Sequence, residues 1–129
     1  MVNGIVIDAQ NNVYVADRGN GRIQVFDTEG NFKTQFTGLG RPSALCLTGG
    51  ATPMLFVSNS NPADDIDVGG DIRVLNLSGQ VLGRFGRAGK VVGEFGTVNA
   101  IDCRNPADLL VGELGNWRVQ RVRLTLPRE

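Results

Sequence analysis

The chain has 129 residues, with 13 Lys plus Arg balanced by 13 Asp plus Glu, and it has no histidine. That is one domain's worth of length. The neutral balance offers no electrostatic footprint for nucleic acid or an anionic membrane, and without imidazole there is no histidine acid–base chemistry and no histidine metal ligand. No apolar run reaches the roughly 18 residues that a spanning helix needs, and Met1-Val2-Asn3-Gly4 lacks the basic head and apolar stretch of a secretory leader. The expectation is a soluble chain without a signal peptide, its compartment unassigned.

The first unit reads Gly4-Ile5-Val6-Ile7-Asp8, Val13-Tyr14-Val15-Ala16-Asp17, Arg22-Ile23-Gln24-Val25-Phe26-Asp27 and Phe32-Lys33-Thr34-Gln35-Phe36. These are four short runs rich in β-formers, separated by clusters of Gly, Asn and Asp. No stretch sustains a 3.6-residue period, so no helices are expected. Glycine, 18 of 129 residues, fits many tight turns.

The same order returns in Ala44 to Leu47, Leu55 to Asn59, Ile72 to Leu75 and Gly79 to Phe85. A third copy runs Ala100 to Cys103, Leu109 to Glu113 and Arg118 to Val122. A period of roughly 40–50 residues with four strands per unit predicts β-propeller blades. The fold class is therefore all-β: four-stranded antiparallel meanders forming a partial propeller of about three blades over residues 1–129. The blades fall at 4–38 and 42–89, with an incomplete one at 96–126. Continuously apolar runs such as Ile5-Val6-Ile7 and Leu55-Phe56-Val57 fit sheets covered on both faces.

The stretch Tyr14-Val15-Ala16-Asp17-Arg18-Gly19-Asn20-Gly21-Arg22-Ile23-Gln24-Val25-Phe26-Asp27 resembles the NHL repeat, the blade of a mostly six-bladed propeller family. Val111-Gly112-Glu113-Leu114-Gly115-Asn116-Trp117-Arg118-Val119-Gln120 resembles it again. The Gly-rich segment from Phe85 to Gly96 is similar to the connection between NHL blades. The resemblance implies a fold and leaves function to the sites grafted on it.

Asp17, Asn20 and Arg22 bracket the turn between the second and third strands. Arg22 can fork onto Asp17 and clamp it, and Glu113, Asn116 and Arg118 repeat the set. In the second unit Asn59 is followed by an insertion, Ser60 through Gly70, and Asp71 stands where Arg is expected, which puts that clamp in doubt. The third unit stops after its third strand. The reading is a C-terminal portion of a longer propeller whose last outer strand comes from elsewhere. Open blade faces and the edge at Leu124-Thr125-Leu126 are then expected to drive self-association.

Alternate turns of a meander share one end, so the turns between strands two and three lie with the connections between blades. On that loop-rich face the candidate ligand or partner residues are Arg18, Arg41, Arg87, Lys90, Asn99 and Trp117; Glu94 also falls there. Asp64, Asp65, Asp67 and Asp71 could hold Ca²⁺ on the inserted loop, although their spacing is not that of an EF-hand; otherwise no cofactor is expected. Trp117, the only Trp, reads either as packing between blades or as an aromatic anchor. Cys46 and Cys103 read as two reduced buried thiols in a reducing compartment; a bridge between them cannot be read from the sequence.

No catalytic motif occurs. The expected function is a non-enzymatic binding or scaffold module for a protein or small ligand. The alternative is part of a metal-dependent propeller enzyme. Six-bladed relatives include gluconolactonase-like hydrolases, whose metal ligands are not matched residue by residue by Asp8, Asn99, Asp102 and Glu113 near the inner or upper positions of their blades, and amidating lyases, whose zinc histidines this chain lacks. Some NHL propellers bind RNA through a basic face; here the charge and the lack of interleaved aromatics argue against it.

Overall fold

The structure is a computed structural model describing residues 2–62, 65 and 67–125. Among these residues the chain forms three antiparallel sheets, two of four strands and one of three, each in sequential order. Blade 1 comprises β1 (Val2–Ile7), β2 (Val13–Asp17), β3 (Arg22–Phe26) and β4 (Phe32–Phe36). Blade 2 comprises β5 (Pro42–Leu47), β6 (Leu55–Asn59), β7 (Ile72–Leu75) and β8 (Val81–Phe85). Blade 3 comprises β9 (Val98–Asp102), β10 (Asp108–Glu113) and β11 (Arg118–Arg123). The one helical piece among the described residues is a 3₁₀ turn at Arg18–Asn20, inside the β2–β3 turn.

Three hairpins, β1–β2, β3–β4 and β7–β8, close at the opposite end from that turn by one repeated device. Asp8 Oδ1 accepts the N–H groups of Gln10 and Asn12, each at 2.9 Å. Asp27 Oδ1 does the same with Glu29 and Asn31, and Asn76 Oδ1 with Ser78 and Gln80. A short side chain with its carbonyl carbon two bonds from Cα can mimic a backbone turn in this way.

The blades pack face to face, with the first strands side by side: β1 contacts β5, and β5 contacts β9. Gly4 is needed at the first of these approaches, since a Cβ there would come within 2.4 Å of the Ser43 carbonyl oxygen. Two apolar joints result. Tyr14, Ile23, Val25 and Phe36 of blade 1 meet Leu55, Val57 and Leu75 of blade 2. Phe56, Ile72 and Val74 of blade 2 meet Val98, Ile101, Leu109 and Val111 of blade 3, with Phe95 from the connection between them. Alternate residues of β6 thus serve opposite joints, which is why Leu55-Phe56-Val57 is continuously apolar. Each such side chain contributes about 1.5–3 kcal/mol on full burial.

The matching run in blade 1 departs from the two-sided expectation. Ile5 and Ile7 are exposed, because among the described residues no sheet lies against that face of blade 1. The cysteine reading is corrected as well. Cys46 and Cys103 form a disulfide across the blade 2–blade 3 joint, with their Cα atoms 6.0 Å apart. Cys46 lies on β5 facing the following blade, and Cys103 just beyond β9 facing the preceding one, so the packing of blades brings together thiols that are 57 residues apart in sequence.

Blade 3 has three strands among the described residues, and β11 is its outer edge. Leu124 and Thr125 continue past it along blade 2, beside a gap of about 270 Å³ against Val74, Gly83 and Phe85. Leu126, expected in that edge, lies outside the described residues.

Candidate functional site

The β2–β3, β6–β7 and β10–β11 turns lie with the connections between blades, and three polar clamps organise that face. In blade 1, Arg22 Nε donates to Asp17 Oδ2 at 2.9 Å and Asn20 Nδ2 to the same oxygen at 3.0 Å. In blade 3, Arg118 Nε donates to Glu113 Oε2 at 2.7 Å, and Asn116 Nδ2 to Glu113 Oε1 at 2.8 Å. Gln120 also donates to Glu113, and the Gly96 N–H bonds its other oxygen. The Asn20 and Arg22 donors hold the Asp17 carboxyl below its ordinary range. Burial pushes Glu113 up, but its donors Arg118, Asn116 and Gln120 outweigh this and leave it lowered.

Blade 2 carries a clamp too, which corrects the doubt raised by Asp71. Asn59 occupies the position of Asp17, and the acid has moved across the pair to Asp71. Asn59 Nδ2 donates to Asp71 Oδ1 at 2.8 Å, and Arg73 Nε donates to Asp71 Oδ2 at 2.9 Å. The acid has moved to the position of Arg22, the amide to that of Asp17, and Arg two residues along.

The arginines also tie down the connections that enter their blades. Arg73 reaches the Gly38 carbonyl at 2.7 Å. Arg118 reaches the carbonyls of Lys90, Val91 and Glu94. At the other end of the same contact, Asn59 Oδ1 accepts the Arg41 N–H. The chain passes so close to this amide that a Cβ on Gly40 (φ 70°) would sit 2.3 Å from Asn59 Oδ1, which only glycine avoids.

A cavity of about 80 Å³ opens on this face at the blade 2–blade 3 junction. Asn61, Thr97 and Asn116 line it with Asp67 and Lys90. Asn61 is buried: its Oδ1 accepts the Thr97 N–H at 2.7 Å and its Nδ2 donates to the Val68 carbonyl. A larger, open hollow of about 450 Å³ lies at the opposite end, between the β1–β2 and β5–β6 turns.

The structure scatters the six ligand candidates. Arg18 is spent within the first joint, donating to Ser60 Oγ at 2.8 Å and to the Asn61 carbonyl. Arg41, Arg87 and Lys90 are exposed on the two connections, Arg87 with Glu94 at 2.8 Å. Asn99 lies on the outward face of blade 3, beside Ala100, Gly112 and Val119. Trp117 is 89% exposed and holds a left-handed φ of 53°, at the position where blade 1 has Gly21, φ 64°.

Among the acids, Asp71 is committed to its clamp, Asp65 accepts the Asp67 N–H, and Asp64 lies outside the described residues. Asp8 and Asp102 end inner strands at the hairpin end; Asp8 bonds Tyr14 Oη at 2.8 Å and Asp102 pairs with Arg104. Glu113 lies at the clamp end, so the four enzyme candidates do not converge. Among the described residues no three His, Cys, Asp or Glu side chains form a metal-holding group.

Sequential four-stranded meanders, stacked face to face with their first strands adjacent, are the blades of a β-propeller. Streptogramin B lyase, a solved structure, matches this fold with a TM-score of 0.66 at 14% identity, over 95% of this chain and 37% of the lyase chain. Residues 1–26 match the NHL repeat. The chain is also 29% identical over 119 residues to the Protein brain tumor of Drosophila melanogaster, covering 88% of this chain and 12% of that protein. The chain thus carries an NHL repeat over residues 1–26 and is built of propeller blades, and it spans a small part of the length of these relatives.

Proposed function

We propose that this chain is a non-catalytic propeller module that binds a protein segment or a small polar ligand on the clamp face, at the blade 2–blade 3 junction. The observation that supports this reading is the division of labour on that face. The clamp side chains Asp17, Asp71 and Glu113 are turned inward and fully engaged with Arg and Asn. The exposed Lys90 and Asp67, by contrast, flank a concave polar floor of Asn61, Thr97 and Asn116. A rigid floor with opposite charges at its rim suits a ligand carrying both a donor and an acceptor, as a peptide main chain does.

The test compares proteins retained by the wild-type chain and by the Arg87→Glu/Lys90→Glu variant, with Asp27→Asn at the opposite end as control. Each hit is then titrated by calorimetry. The reading expects at least one partner whose affinity drops tenfold or more in the rim variant and is unchanged in the control. Partners that respond only to the control, or metal-dependent lactone hydrolysis above background by the chain, would overturn it.

A further inference from the structure

The two joints inside the chain obey one rule. The second face of a blade, carrying the anchor residue that opens its third strand, packs on the first face of the next blade. Ile23 of blade 1 and Ile72 of blade 2 are these anchors, and both are 0% exposed. Val119 is the anchor of blade 3 by register, since Arg118 pairs with Glu113 as Arg22 pairs with Asp17. It is 69% exposed.

The neighbours of Val119 tell the same story. Leu114 stands where Arg18 reaches blade 2, and Trp117 where Gly21 lies against the connection at Gly40. Both are exposed, as is Leu110, the counterpart of the buried Tyr14. Trp117 therefore points at the place of a following sheet, which explains an exposed aromatic better than a ligand site on the open rim. Among the described residues one first face is left unpaired to match: Ile5 and Ile7 of β1, backed by Val13 and Val15 of β2. In blade 2 the counterparts Leu45, Leu47, Leu55 and Val57 are the ones that receive blade 1.

The clamp adds a polar half to the match. Arg73 and Arg118 each donate to carbonyls of the segment entering their blade. Arg22, their counterpart, bonds Asp17 and, at 3.4 Å, Gln35 of its own blade.

We propose that the open face of blade 3 takes the open face of blade 1 from a second copy of this chain, head to tail. The contact is heterologous, so one face of each kind is used per joint, and the smallest assembly that leaves neither face open is a pair. The joint is a third example of an interface the chain already forms twice, with the same partners in β-branched and aliphatic residues.

The experiment is light scattering during gel filtration of the whole chain, with Ile5→Asp, Val119→Asp and a mixture of the two. Both positions are exposed within one copy, so each variant should keep the wild-type circular dichroism spectrum. Wild type should run at twice the 13.8 kDa chain mass, and each variant alone as a monomer. The mixture should recover a heterodimer through the one joint in which both faces are wild type. A wild-type monomer throughout the micromolar range would overturn the proposal, and so would an Ile5→Asp dimer, which would mean that blade 3 pairs with itself.

Discussion

Glu113 shows what a single side chain does in this fold. Its carboxylate takes bonds from Gly96, Asn116, Arg118 and Gln120, and so joins the β10–β11 turn to the connection entering blade 3. Replacing it by Ala leaves the Arg118 guanidinium without its partner and frees that connection. Removing one member of a buried ion pair costs about 3–5 kcal/mol, so Glu113→Ala should lower unfolding stability by about 3 kcal/mol, read from denaturant titration. The acid dependence follows from the same bonds. Glu113, Asp71 and Asp17 all titrate below their ordinary values when folded. Their contribution is full above the unfolded carboxyl range of about 4 and is lost as pH falls through the lower folded values. The melting temperature should therefore drop on acidification below about pH 4, and drop less steeply in Glu113→Gln.

The exchanged clamp of blade 2 predicts the opposite pH response for one variant. Asn59 donates to Asp71 at 2.8 Å. Asn59→Asp would set two carboxylates at that distance, and both cannot stay ionised. The variant should lose about 1–3 kcal/mol at pH 7 through the broken bond and the repulsion. It should regain part of this near pH 5, where the pair can share a proton. A melting temperature that fell monotonically as the pH was lowered, as in wild type, would contradict the arrangement.

At the scale of elements, strands and turns were legible because their signals are local: β-branched runs, and Asp or Asn opening most of the hairpins. The disulfide was not, since it depends on which residues of β5 and of the segment just beyond β9 face one another once blades are stacked. The clamp of blade 2 was obscured for a similar reason. Residues that face each other across a strand pair can exchange roles, and the alignment of repeats then reads as a mismatch. Trp117 was legible as a turn residue, but the side it faces depends on the neighbouring sheet. The disulfide itself carries a stability prediction. It closes a loop of 57 residues, for which the chain-entropy estimate is about 4 kcal/mol. Cys46→Ser/Cys103→Ser should lower the denaturation midpoint accordingly. Titration of the unfolded wild-type chain with a thiol reagent should find no free thiol until reductant is added.

At the scale of the whole molecule, stability is set by how many faces each blade has covered. Blade 2 is packed on both sides, and Leu55, Phe56 and Val57 in β6 are at most 1% exposed. Blades 1 and 3 each have one joint, and residues Phe32–Gln35 of β4 are exposed in sequence. In such a stack each sheet is held by its neighbours, so opening should begin at the ends and reach the middle last. Amide hydrogen exchange on the Ile5→Asp/Val119→Asp double variant, which removes both proposed contacts between copies, should therefore be slowest in β6 and β7. Exchange should be faster in β2 and β10, and fastest among the strands in β4 and β11. The disulfide makes the gradient asymmetric: it fastens β5 to the end of β9, so the inner edge of blade 3 should outlast that of blade 1. On reduction β9 should lose protection before β6 does. Uniform protection across all three blades would show that they unfold as one cooperative unit, against a stack held only by neighbour contacts.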